Sequence, residues 1–195
     1  MVGKKYKLGE SEEFLGRTIF RIIALRTFND VSIGDIGGWV ESENNLDHNG
    51  GAWIYGNAMV YGDTRVSCNA MVYGNAMVYD NAQVYGDAQV YGDAQVYGNA
   101  QVYGDSHVYD KAIVYDNAEV YDNAQVYDYA EAYGFAEVYG NAQVYGYAEV
   151  YDNAKVYDRA EVYGFVEVYD RAQVYGYAEV YSDTHVYGYE EVYSV

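Results

Sequence analysis

The chain has 195 residues, with 30 acids against 11 bases, 28 tyrosines, no proline and one cysteine. A net charge of −19 argues against direct contact with nucleic acid, whose own backbone would repel it. The lone cysteine excludes an internal disulfide framework, and no apolar run is long enough for a membrane-spanning helix.

Residues 1–53 differ from everything that follows. They hold Lys4, Lys5, Lys7, Arg17, Arg21 and Arg26 against eight acids, a net of −2. Met1 to Glu10 is polar and basic, without the apolar stretch of a cleavable signal. Ile19 to Phe28 has the pattern of a strand around Ile22, Ile23, Ala24 and Leu25. Val31 to Val40, with Gly34, Gly37, Gly38 and Trp39, predicts a tight turn feeding an irregular first coil. Together they predict a small β cap over an edge that would otherwise template aggregation.

From Ile54 onward one six-residue unit, typified by V-Y-G-N-A-Q, recurs twenty-four times without a slip. The aliphatic slot falls at Ile54, Val60, Val66 and every sixth residue to Val192, with Ala132 as the one smaller substitute. Tyr follows it everywhere except at Ser67, and a small residue, nearly always Ala, stands four places after it. Six residues are too few for a helical repeat and match one strand plus one corner of a parallel β-helix. Strand alternation turns Val and the Ala two places before it inward, and Tyr and the Gln or Glu outward. The Gly-Asn, Gly-Asp or Asp-Asn pair supplies the positive φ of a tight corner. Three edges close a triangle of eighteen residues, so the hexads predict eight coils stacked over roughly 38 Å.

These slots resemble the hexapeptide pattern of left-handed parallel β-helices: an aliphatic residue, two corner positions, and a small residue two before the next aliphatic. Tyr in the second slot departs from that family, which usually carries a small or acidic residue there. With the run G-D-I-G-G-W-V-E-S-E-N-N-L, Gly34 to Leu46, the chain is more similar to YdcK-type β-solenoid proteins, a group common in bacteria and phages. The resemblance implies the left hand, which periodicity does not fix, and a transferase label that rests on fold analogy. The expected architecture is all-β: a single-stranded, left-handed parallel β-helix over 54–195, with the cap and irregular first coil at 1–53.

The hexads carry 22 acids against Arg65, Lys111, Lys155, Arg159 and Arg171, a net of −17. Such a rod attracts basic surfaces; acids also keep a Tyr-covered surface soluble. In one corner column, residues eighteen apart put Tyr129, Tyr147 and Phe165 where Asn or Asp usually turns the chain. Glu131, Glu149 and Glu167 lie beside them, and Phe135 stands on the next corner, with Tyr177 and Tyr189 further on. Aromatics with acids suit capture of a basic partner; aromatic stacking within the column is the competing reading. The Tyr ladders themselves read as stacking on all three faces. Thr184 and Glu190 fall in inward small slots of the last coil, where a charge guards an open edge. The alternative there is end-to-end pairing of two chains through Tyr187, Tyr193 and Val195.

Catalytic chemistry is sparse. His48, His107 and His185 are the only histidines, and no loop interrupts the hexads to build a pocket. Cys68 occupies a corner with no base in register and fits a reducing, cytoplasmic compartment. Asp110 with Asp128, and Asp152 with Asp170, stack as solvated corner residues, without the nonapeptide signature of calcium-binding β-rolls. No cofactor, metal or catalytic residue is expected. The sequence points to a protein-binding scaffold for a basic partner, in a phage setting a DNA-mimicking inhibitor of a host-defence enzyme. A hexapeptide acyltransferase or a self-assembling structural element are the alternatives.

Overall fold

The computed structural model describes residues 3–195, so the first two positions of the expected 1–53 cap lie outside the described residues. The hexads form a three-sided parallel β-solenoid. Most contribute a two-residue strand, such as Gln89–Val90, and a corner; Gln143–Gly146, Glu161–Gly164, Gln173–Gly176 and Glu191–Ser194 are four residues long. Every strand pairs with the one eighteen residues away, as Gln89 and Val90 do with His107 and Val108 on one side and with Met71 and Val72 on the other. Ladder bonds run up the stack, with Tyr91 N–H donating to Val108 O at 3.0 Å.

Alternation sets what fills the hollow. The aliphatic slots and the Ala slots are buried along the whole shaft, from Ala52 and Ile54 to Val174. Ser106 and Thr64, which replace Ala, are buried too, and the Ser106 hydroxyl donates to Val120 O at 3.2 Å. The first corner residue sits in left-handed conformation throughout: Gly at φ near 72°, as in Gly92, and Asp near 58°, as in Asp110. Asp tolerates this region better than other residues with a Cβ because its short side chain bonds locally. Cys68 takes the same conformation at φ 60° and is exposed.

The solenoid begins earlier than the unbroken hexads do. Strand β1 (Tyr6–Phe14) and strand β2 (Arg17–Ala24) form an antiparallel hairpin that turns through Leu15 and Gly16, both at positive φ. Strand β3 (Ile36–Val40) lies antiparallel to β2 and parallel to Met59–Val60. Trp39 and Val40 are therefore the first rung of one face, and Leu46 bridges to Val66 on another. Val40 and Leu46 already keep the six-residue spacing; a two-residue insertion before Ile54 then breaks it. That face has nine parallel rungs plus the hairpin, and the other two have eight each. It is called the cap face here, and the others the Trp53 face and the Arg65 face.

The expected strand at Ile19–Phe28 is found as β2, ending at Ala24, whereas β1, rich in charge, gives no apolar pattern to read. The joint is built from polar groups turned inward. Lys5 is fully buried and donates through Nζ to Ala52 O at 2.7 Å. Tyr6 OH, also buried, bonds the carbonyls of Glu43 and Leu46, and its ring stacks on His48 at 4.4 Å. Asn45 Nδ2 donates to Gly62 O and Thr64 O. At the other end Glu190, in the small slot of the last coil, is exposed, and its carboxylate accepts from the Tyr187 N–H at 3.3 Å.

Candidate functional site

The surface is a lattice of tyrosines. On each face the Tyr rings stack at one-coil intervals, Tyr103 on Tyr121 at 4.9 Å and 2°, Tyr133 on Tyr151 at 4.9 Å and 2°. Each ring lies across its face toward the following coil, so its hydroxyl reaches the Gln or Glu sixteen residues on. Tyr73 donates to Gln89 at 2.8 Å, Tyr103 to Glu119 at 2.9 Å and Tyr133 to Glu149 at 2.9 Å. Burial is the first cause that raises the phenol pKa values, and neighbouring Tyr or Glu groups add to it; Tyr79, Tyr127 and Tyr145 are pushed up to about 12.

The predicted ridge is assembled. Tyr129 stacks on Tyr147 at 4.9 Å, and Tyr147 on Phe165 at 4.9 Å and 4°. It runs along the corner between the Trp53 face and the cap face. Glu131, Glu149 and Glu167 follow in register on the cap face. Each accepts a Tyr hydroxyl, from Tyr115, Tyr133 and Tyr151. Burial and the adjacent Glu149 raise the Glu131 carboxyl above its ordinary range, against the Tyr115 hydrogen bond. Phe135 is not part of this group: it occupies another corner column, between Asn117 and Asn153.

Stacking changes what the ridge offers. The ring faces inside it are shared, so outward it presents edges, and a face is free only at an end of the stack. One end is taken, because Lys111 Nζ lies 4.8 Å from the Tyr129 centroid and donates to its hydroxyl at 3.1 Å. The same device occurs on the other two corners. Arg159 lies over Tyr177 at 5.2 Å and Arg171 over Tyr189 at 5.5 Å, each also bonding the hydroxyl. The sequence signal for these three pairs was a base eighteen residues before a corner Tyr.

Four stretches, residues 52–67, 70–86, 88–104 and 94–110, match the family model described as the YdcK beta solenoid repeat, and the coils drawn from them are the stacked triangle above. Over residues 52–110 the chain carries β-solenoid repeats of the YdcK type. No curated protein matches it.

Between the YdcK-type repeats the concavities are shallow corner grooves. One of about 530 Å³ runs past Arg17, Glu41, Gly62, Asp80 and Gly98, and another of about 430 Å³ past Asp87, Asp105, Asp122 and Asn141. Among the described residues no group of three or more His, Cys, Asp and Glu side chains could hold a metal ion, and no helix is long and apolar enough to cross a membrane. Four corner carboxylates accept a backbone N–H from the next coil: Asp122 from Gly140, Asp128 from Gly146, Asp158 from Gly176 and Asp170 from Gly188. The histidines are dispersed. His107 meets Tyr91 edge-on at 6.1 Å, with its pKa lowered by burial, and His185 Nδ1 lies 3.5 Å from Glu167.

Proposed function

We propose that the chain is a non-catalytic, rigid, anionic scaffold that binds a basic protein. The observation that carries this reading is the excess of one charge, left over after every hexad base is engaged by the chain itself. All five bases of the hexads are held against the chain: Arg65 by Asp47 at 3.2 Å, Lys155 by Glu137 at 2.8 Å, and Lys111, Arg159 and Arg171 by corner tyrosines. The 22 acids of the same stretch far outnumber them and line every face and corner. With rings of successive coils 4.9 Å apart, the shaft's 17 net negatives amount to about one per 2.3 Å of axis, close to the roughly one per 1.7 Å of duplex DNA. A protein surface shaped to grip a polyanion is the natural complement, so a nucleic-acid-handling or host-defence enzyme is the partner class, with the solenoid standing in for DNA.

Passing native lysate over the immobilised chain tests this. The expected result is a basic protein retained at low ionic strength, released at high ionic strength and displaced by duplex DNA. Retention indifferent to salt, or unchanged when Glu131, Glu149 and Glu167 are all replaced by Gln, overturns it.

A further inference from the structure

We propose that the outer face of Phe165 is a receptor for an arginine side chain of the basic partner, an inference that rests on the scaffold reading above and names its contact. The ridge is a column with two ends. Tyr129 closes one end under Lys111, whereas Phe165 is followed in its column by Asp183, with no ring on that side. Exposure climbs along the stack, from 47% at Tyr129 through 52% at Tyr147 to 63% at Phe165. The free face thus lies on the ring that is most open to solvent.

The molecule itself supplies the template for what covers such a face. Three times a cation from the neighbouring coil lies over a corner ring, and in two of them it is an arginine, with its guanidinium carbon 5.2 and 5.5 Å from the centroid. Among the described residues no such cation lies over Phe165. The next corner residue is the exposed acid Asp183, and Glu167 lies on the adjoining strand. A guanidinium over that ring would meet an aromatic face and a carboxylate together, a pairing that suits a planar, weakly hydrated cation better than an ammonium. Phe, unlike the Tyr at the three filled positions, has no hydroxyl to bond an intramolecular base.

Acetylated, amidated hexa-arginine and hexa-lysine titrated into the whole chain test the proposal. Hexa-arginine is expected to bind more tightly, and its side-chain protons to show ring-current shifts in the NMR spectrum. Phe165→Leu keeps apolar bulk but removes the ring. It should weaken hexa-arginine by roughly two- to thirtyfold, the span of an exposed to a desolvated cation–π contact, with little change for hexa-lysine. Asp183→Asn should weaken both peptides. Equal hexa-arginine binding by wild type and Phe165→Leu overturns the Phe165 receptor. If that equality holds while the triple Gln variant of Glu131, Glu149 and Glu167 loses both peptides, the scaffold reading stands alone. If the wild-type chain binds neither peptide at low salt, both readings fall.

Discussion

Tyr133 donates its hydroxyl to Glu149 Oε2 at 2.9 Å, and Glu149 stands in register between Glu131 and Glu167. Three like charges one coil apart repel, and each is held by a phenol from the coil before it. Removing that donor leaves a half-buried carboxylate without its partner. Tyr133→Phe should therefore cost about 1–3 kcal/mol, whereas adding Glu149→Gln should recover part of it by relieving the repulsion. Thermal melting of the two variants checks this; a double variant no more stable than the single would contradict the account.

Alkali should attack the ladders as a unit. Folded Tyr79, Tyr127 and Tyr145 titrate at about 12, while an unfolded phenol titrates near 10. Between these values the folded state holds protons the unfolded state has lost, so this stabilisation is complete below pH ~10 and disappears as pH rises toward ~12. Phenolate absorbance and loss of the β circular-dichroism signal should rise together in that window. Phenolate appearing near pH 10 over an intact solenoid would refute it.

Lys5 predicts the opposite slope at lower pH. Burial is the main cause that brings its ammonium down to about 8; Arg26 adds to this and Asp47 opposes it. The unfolded lysine titrates near 10.4, so between about 8 and 10 the unfolded state binds more protons and stability rises with pH. In Lys5→Met this rise should be absent. Equal pH dependence in the two chains would show that the buried ammonium is not what titrates.

The corners predict a ranking. A Cβ on Gly86, at φ 76°, would approach the backbone of Gly104 to 2.8 Å. Asp corners one or two coils on take φ near 58° and give their carboxylate to a following Gly, as Asp122 does to Gly140 at 3.3 Å. Gly86→Ala should lower stability by about 1–3 kcal/mol, and Gly86→Asp by less, because Gly104 N–H is available to it. Denaturant melts that rank Asp below Ala would overturn this.

The shaft was legible because period, polarity and turn chemistry all say the same thing in every hexad. The cap was less so. Charged residues in β1 and the insertion before Ile54 hide a rung that Val40 and Leu46 in fact belong to. Nothing in the sequence marks Lys5 as buried, since its neighbours in space, Ala52 and Phe28, come from elsewhere in the chain. The ridge was legible as a column. What the column could bind was not, because the sharing of ring faces between Tyr129, Tyr147 and Phe165 depends on ring orientation, which spacing does not give.

The eighteen-residue pairing of strands has a consequence for how such a molecule can change. Duplicating three hexads adds one storey and leaves every neighbour relation above and below intact. Duplicating a single hexad pivots all that follows by one side of the prism, carrying the Phe165 corner to a different flank while the hollow stays filled. Reach and compass bearing can thus be altered separately, by indels that never disturb the packing of Val on Ala.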